Sequence, residues 1–228
     1  MDFMPEGPMA IPMWLNGHAF MTAGQGFLDV VNPVSGEAIR RVPLCGADEA
    51  SEAQAAARAA QAGWAALDVG ARREALAALA TALDNYTGHF AKLLAQESGA
   101  ENEVERAQVE AAVAALRGDS SGEGGVFGLV LDASQPLLAF ARAMAPAMLA
   151  GATLVVKPSP KAPSAVFALC ELATRVQWPN GVLNLLQGDT AAVEGLCASG
   201  VDRLVYVGNV ALGEQVGRMA AAAGVAFV

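Results

Sequence analysis

The sequence predicts an α/β fold, a Rossmann-like doubly wound parallel sheet of about five strands. In the second half of the chain, short apolar runs without polar alternation are each followed by a stretch of 3.6-residue periodicity, which is typical of parallel strands covered by helices. Of the 228 residues, 54% are hydrophobic and 16% charged, which indicates a large two-sided core, an oligomer interface or a membrane. A small antiparallel sheet and a helical segment are predicted to precede this part.

Residues 1–46 are predicted to form short strands. The runs 13–20 and 27–31 flank the turn-forming residues Gly24-Gln25-Gly26, and we interpret them as a hairpin. A further strand is predicted over 39–44, after the turn-forming stretch Asn32-Pro33-Val34-Ser35-Gly36.

Residues 47–117 are predicted to be helical. Asp48 is a suitable N-cap for an Ala-rich helix that ends at residue 66. Two more helices are predicted over 71–86 and 103–117, since each has an apolar stripe at helical spacing. The stripes consist of Leu76, Leu79 and Leu83 in the first, and Val109, Val113 and Leu116 in the second. The Gly, Ser and acidic residues of 118–125 predict a linker.

Residues 126–228 are predicted to form the α/β part, in one compact domain with the rest. Its strands are predicted over 126–131, 153–156, 181–186, 203–207 and 225–228. Its helices are predicted over 137–149, 164–176, 190–198 and 211–223. Ligands of such sheets bind beyond the carboxyl ends of the strands, so the residues that follow each run are the candidate site.

Charge and cysteine content exclude several classes of function. The net charge is −9 and there is no basic run, which argues against nucleic acid as a partner. The longest uncharged apolar stretch, 143–156, has 14 residues and is too short to cross a membrane. Residues 1–13 lack the positive region of a signal peptide. Three cysteines without a CxxC pair, and two histidines, favour a reducing cytoplasm and argue against a metal site.

Two of the strand ends carry residues suited to a nucleotide. Gly208 and Gly213 have the spacing of the first and third glycines of GxGxxG, with Val210 at the middle position. Lys157 follows another strand, next to a predicted helix start, where an ammonium can hold a ribose hydroxyl or a phosphate.

From about residue 15 to the end, the order of segments resembles the aldehyde dehydrogenase superfamily. These segments are NGHAF, VVNPVSGEAI, GVFGLV, PLL, APAMLAGATLVVKPSP, PNGVLNLLQGD and VDRLVYVGNVALG. In that family NAD(P)+ lies across such a domain, a cysteine thiolate attacks the aldehyde, hydride passes to the nicotinamide, and a glutamate activates water. The resemblance implies a truncated member, with the N-terminal NAD(P)-binding region and without the segments that carry the nucleophilic cysteine and the general base. The stretch between Arg117 and Val126 is also short, where relatives have strands used in assembly.

The resemblance also implies a set of cofactor-binding residues for NAD or NADP. These are Leu131, Asp132, Ser134, Lys157, Ser159, Gly188, Gly208, Asn209 and Gly213. Besides Val210, three positions depart from the motif. Pro160 replaces a glutamate that takes the ribose hydroxyls, which weakens any preference for NAD+ over NADP+. Ser134 replaces an asparagine that helps to stabilise the oxyanion, and Asn209 replaces a serine.

None of the three cysteines is predicted to be catalytic. Cys170 and Cys197 lie on apolar stripes of helices and are expected to be core thiols. Cys45 ends a strand next to Gly46 and is expected to be the most accessible, but no histidine or cation nearby in sequence would activate it.

Three functions remain open. The chain binds NAD(P)+ with little or no aldehyde oxidation of its own; it is an NAD(P)-dependent aldehyde oxidoreductase that is active only with a partner chain; or it is a non-enzymatic assembly or regulatory protein, a pseudoenzyme. The excess of apolar residues further predicts a homodimer or a larger homo-oligomer.

Overall fold

The computed structural model describes residues 7–22, 26–120 and 122–228, so Gly24 and Gln25 of the predicted turn lie outside the described residues. Its strands are β1 (Met13–Leu15), β2 (His18–Phe20), β3 (Phe27–Val31), β4 (Ala38–Pro43), β5 (Val126–Leu131), β6 (Thr153–Lys157), β7 (Leu183–Leu185), β8 (Arg203–Val207) and β9 (Ala226–Phe227). Its helices are α1 (Ala47–Ala66), α2 (Val69–Asn85), α3 (Thr87–Ser98), α4 (Asn102–Leu116), α5 (Pro136–Leu149), α6 (Ser164–Arg175), α7 (Thr190–Ala198) and α8 (Val210–Ala223). None of these helices is long and apolar enough to span a membrane.

The main sheet confirms the predicted fold class. In the described part of the chain it has seven strands in the order β2-β1-β7-β6-β5-β8-β9, of which the last five are parallel. From β5 the chain moves outward through β6 to β7, then crosses back to β8 on the other side of β5. The crevice between the carboxyl ends of β5 and β8 is therefore the topological switch point, where ligands of such sheets bind.

The predicted pairing of the N-terminal strands is wrong. Residues 13–20 are themselves a hairpin, in which β1 pairs with β2 around Asn16 and Gly17, whose φ angles are 49° and 80°. Asn-Gly suits such a two-residue turn because both residues tolerate positive φ. β1 also joins the main sheet antiparallel to β7, through Trp14 and Leu185.

β3 pairs instead with β4, in a separate two-stranded sheet. The connecting turn is held by the Asn32 side chain, whose Oδ1 accepts hydrogen bonds from the amides of Val34 (2.8 Å) and Ser35 (3.0 Å). α3 is a helix that the sequence analysis did not predict.

The two faces of the sheet are covered by different helices, because successive side chains of a strand point to opposite faces. Phe127, Leu129 and Leu131 of β5 belong to the core that includes α2 to α6. Val126 and Val130 belong to the core that includes α7, α8 and most buried residues of α1. Since α7 and α8 both lie on this second face, the first face of β8 is less covered, and its residues Val205 and Val207 are only partly buried.

Candidate functional site

Asp132 links the ends of β5 and β8 at the switch point. Its Oδ2 accepts hydrogen bonds from the Asn209 backbone amide (2.8 Å) and the Asn209 side-chain amide (3.3 Å). Its Oδ1 accepts one from the Ser134 backbone amide, at 2.7 Å. The buried carboxylate therefore fixes both the loop before α5 and the turn before α8.

Gly208 lies against this carboxylate. A Cβ atom at Gly208 would be 2.4 Å from both Asp132 Cγ and the Tyr206 hydroxyl oxygen, so only glycine fits without movement. The Tyr206 hydroxyl is buried and has no hydrogen bond within the described residues. Burial raises its pKa, and the nearby Asp132 adds to this shift.

The N-terminus of α8 has two free amides. The Asn209 side chain caps the helix by accepting from the Leu212 amide at 2.9 Å, and the Asn209 carbonyl accepts from Gly213 at 3.1 Å. Over the described ranges, the amides of Val210 and Ala211 have no hydrogen-bond partner. Together with the helix dipole, they make this end of α8 favourable for an anion.

Lys157 ends β6 and lines a cavity of about 180 Å³ between α7 and α8. Its side chain is 4% exposed, and its ammonium makes no hydrogen bond or ion pair to the part of the chain that is described. Burial lowers the pKa of Lys157 to about 8, and the smaller opposing influence comes mainly from the Asp189 carboxylate. Two further predicted site residues, Leu131 and Ser159, line the same cavity.

A second cavity, of about 640 Å³, lies on the α5 side of the sheet. It contains four predicted site residues, Asp132, Ser134, Gly208 and Asn209. Gly188 and Gly213 line neither cavity: Gly188 packs against the Cys45 backbone and Gly213 against the Tyr206 ring. Seven of the nine predicted residues thus lie in two cavities, one on each side of the same strand ends.

The first cavity is completed by residues that the sequence analysis did not assign. Apolar side chains of α7 and α8 form its walls, namely Val193, Leu212, Val216 and Met219. Asp189 lies at its rim, where its side chain caps α7 by accepting from the Ala191 amide at 3.1 Å. Asp189 belongs to the short loop between β7 and α7, and its position after a predicted strand is the signal that could have identified it.

Comparison with known proteins identifies the family of the chain. The model of the Aldehyde dehydrogenase family matches residues 20–118 and 125–227. The chain belongs to the aldehyde dehydrogenase family.

Two of its relatives illustrate the match. Lactaldehyde dehydrogenase of Escherichia coli (strain K12) is 30% identical over 92% of this chain and 49% of its own length. A crystal structure of lactaldehyde dehydrogenase from Escherichia coli superposes with a TM-score of 0.89 at 26% identity, over 97% of this chain and 52% of that one. A betaine aldehyde dehydrogenase from Staphylococcus aureus, solved in complex with NAD+, has the same fold (TM-score 0.87, 22% identity, 96% of this chain and 50% of that one). This aldehyde dehydrogenase family chain therefore spans about half the length of the relatives it matches.

All three cysteines of this family member are buried. This confirms the prediction for Cys170 and Cys197, but the expected accessibility of Cys45 is wrong, since that residue is 0% exposed. The Cys45 thiol contacts the Met13 sulfur at 3.1 Å, because β1 covers it within the core. Burial raises the pKa of Cys45 to about 12, and it also raises the pKa values of the other two thiols.

Proposed function

We propose that this chain binds a nicotinamide dinucleotide, NAD+ or NADP+, across the carboxyl ends of β5, β6 and β8. The observation that carries the proposal is Lys157, a residue only 4% exposed that lines a cavity at the end of β6 and whose ammonium has no hydrogen bond or ion pair to the described part of the chain. A buried cation is costly unless a ligand or a counter-ion satisfies it. A ribose hydroxyl or a phosphate oxygen at Lys157 would supply that partner.

The fit to a dinucleotide extends from this cavity to α8. The cavity of about 180 Å³ is smaller than the roughly 300 Å³ of a complete ligand pocket, so it suits one end of the molecule, the adenosine. The free amides of Val210 and Ala211 would then receive the pyrophosphate. The Asn209 backbone amide donates its hydrogen bond to Asp132 and is therefore not available to the pyrophosphate.

We expect little preference between the two cofactors. Pro160 lines the cavity at the position where the family resemblance places a glutamate. Proline offers no side-chain acceptor for the ribose hydroxyls of NAD+, and no charge that would repel the extra phosphate of NADP+.

Isothermal titration with NAD+ and NADP+ tests the proposal. Both cofactors should bind, and Lys157→Met should lower the affinity for each by about tenfold or more. The reason is that a charged hydrogen bond contributes about 1.5–3 kcal/mol. Lys161→Met is the matched control, since Lys161 is exposed on the adjoining loop. Absence of heat at millimolar cofactor, or equal losses in the two variants, would contradict dinucleotide binding at Lys157.

We further propose that these 228 residues alone oxidise aldehydes little or not at all. A cysteine nucleophile must be accessible and ionised, and all three thiols are buried with raised pKa values. Steady NADH formation from the purified chain with an aldehyde would contradict this.

A second candidate function is an aldehyde oxidoreductase that is active only with a partner chain that supplies the catalytic domain. The observation that favours it is the partly covered first face of β8, which continues the 640 Å³ cavity beside Ser134. Along this face a further groove of about 290 Å³ is lined by Phe127, Leu129 and Val205. An open apolar face next to a polar cleft is typical of an interface.

A further inference from the structure

We propose that Lys157 is a reactive amine that condenses with small apolar aldehydes inside its cavity, forming an imine. The imine would form in the cavity already described, whether or not a dinucleotide binds there. It assigns Lys157 a covalent chemistry in addition to the electrostatic role proposed above.

The cavity presents the amine to an apolar guest. Its walls are mainly hydrocarbon, from Val130 and Leu131 of β5 and from Val193, Val216 and Met219 of α7 and α8. The lysine side chain is 4% exposed, yet it lines a space of about 180 Å³, enough for a short alkyl chain. When an aldehyde enters, its carbon chain leaves water and contacts these apolar walls, which is favourable.

The electrostatic surroundings leave the amine available at neutral pH. Asp189 and Cys45 are the titratable groups that act on Lys157; Asp189 is exposed at the start of α7, and the Cys45 thiol is buried and neutral. With a pKa of about 8, roughly a quarter of Lys157 is unprotonated near pH 7.5. For a lysine of ordinary pKa the fraction is about one in a thousand.

The reaction needs no oxidant or reductant. The nitrogen lone pair of the neutral amine attacks the carbonyl carbon, the C=O π pair moves to oxygen, and one proton passes from nitrogen to oxygen to give a carbinolamine. The hydroxyl then takes up a proton from solvent, the nitrogen lone pair displaces it as water with cleavage of the C–O bond, and the protonated imine remains with its alkyl chain in the cavity. Desolvated lysines form such imines in enzymes that use them as nucleophiles.

The sequence provides its own controls, because its other lysines are Lys92 and Lys161. Both are exposed, and Lys161 lies only four residues from Lys157. The folded chain is treated with butanal and sodium cyanoborohydride, which reduces the imine to a stable secondary amine, and each lysine is quantified by peptide mass spectrometry. Near pH 7.5 we expect Lys157 to be alkylated at least about tenfold faster than Lys161. The Lys157 rate should reach half its maximum near pH 8.

Two variants sharpen the test. Asp189→Asn keeps an acceptor for the α7 cap but removes a charge that raises the Lys157 pKa, so alkylation near neutral pH should become severalfold faster. Lys161→Arg should leave the Lys157 rate unchanged. The proposal is overturned if Lys157 of the folded wild-type chain reacts no faster than Lys161, or if Asp189→Asn slows it. A slower alkylation of Lys157 in the presence of NAD+ would bear on dinucleotide binding alone.

Discussion

Single contacts at the switch point decide which residues the site tolerates. Gly208 faces Asp132 and Tyr206 so closely that a methyl group has no room. We expect Gly208→Ala to cost about 1–3 kcal/mol of unfolding free energy, because the turn must shift to relieve the clash. The same shift would move the free amides of α8, so cofactor affinity should fall as well.

Denaturant unfolding and cofactor titration measure these two effects. Gly63→Ala is the matched control: Gly63 lies within α1, and a Cβ there meets no atom within 4 Å. In that helical position alanine should stabilise by about 0.5–1 kcal/mol. If Gly208→Ala were as stable as the wild type, the close packing against Asp132 would be wrong.

For single residues, the sequence shows which ones follow a strand better than it shows which ones are buried. Lys157, Gly208 and Asn209 could be identified because each directly follows, or ends, an apolar run. The burial of Cys45 could not, because it depends on β1, which is distant in sequence and covers the thiol through Met13. The Asp132 hydrogen bonds to Asn209 likewise join residues 77 positions apart.

Among the secondary-structure elements, α6 depends on a carboxylate from another helix. Glu97 of α3 accepts hydrogen bonds from the Ser164 amide (3.2 Å to Oε2) and from the Ser164 hydroxyl, at the first turn of α6. Burial raises the pKa of Glu97 from 4.5 to about 7, although these hydrogen bonds oppose the shift. The capping carboxylate is thus ionised in the folded chain only at an energetic cost.

This predicts a pH-dependent stability. The pKa of Glu97 is higher in the folded chain than in the unfolded chain. Glu97 therefore contributes fully to the free energy of unfolding below pH 4.5, and this contribution is lost as the pH rises to about 7. Glu97→Gln keeps an acceptor without a charge. Over this pH range the free energy of unfolding of the variant should therefore rise relative to that of the wild type, by up to roughly 3 kcal/mol. Thermal unfolding of both proteins at acidic and slightly alkaline pH measures the difference. A constant difference between the two would contradict the raised pKa.

The strands show why element type is easier to predict than pairing. All five parallel strands were predicted from apolar runs, and the four helices between them from 3.6-residue periodicity. The hairpin predicted in residues 13–31 rests on the Gly24-Gln25-Gly26 turn and leaves out Asn16-Gly17, although Asn-Gly is the stronger hairpin signal. The partner of β1 is β7, which no local pattern reveals.

The whole molecule is asymmetric in how its sheet is covered. The second face carries α1, α7 and α8, whereas the first face of β8 borders open cavities beside α5. The apolar groove there contains Phe127, Leu129 and Val205, with Arg203 and Glu123 at one end. A symmetric dimer that pairs two such grooves would remove this surface from water.

We therefore expect the chain to self-associate at micromolar concentration. Val205→Glu places a charge in the groove, and because a buried unpaired charge is costly, it should shift the population toward monomers. Val69→Glu is the matched control, since Val69 is 51% exposed at the start of α2 and a carboxylate there suits the helix N-terminus. Light scattering after size exclusion gives the masses, and circular dichroism shows whether each variant is folded. A wild-type chain that stays monomeric would refute self-association. Equal masses for a dimeric wild type and a folded Val205→Glu variant would instead place the interface elsewhere.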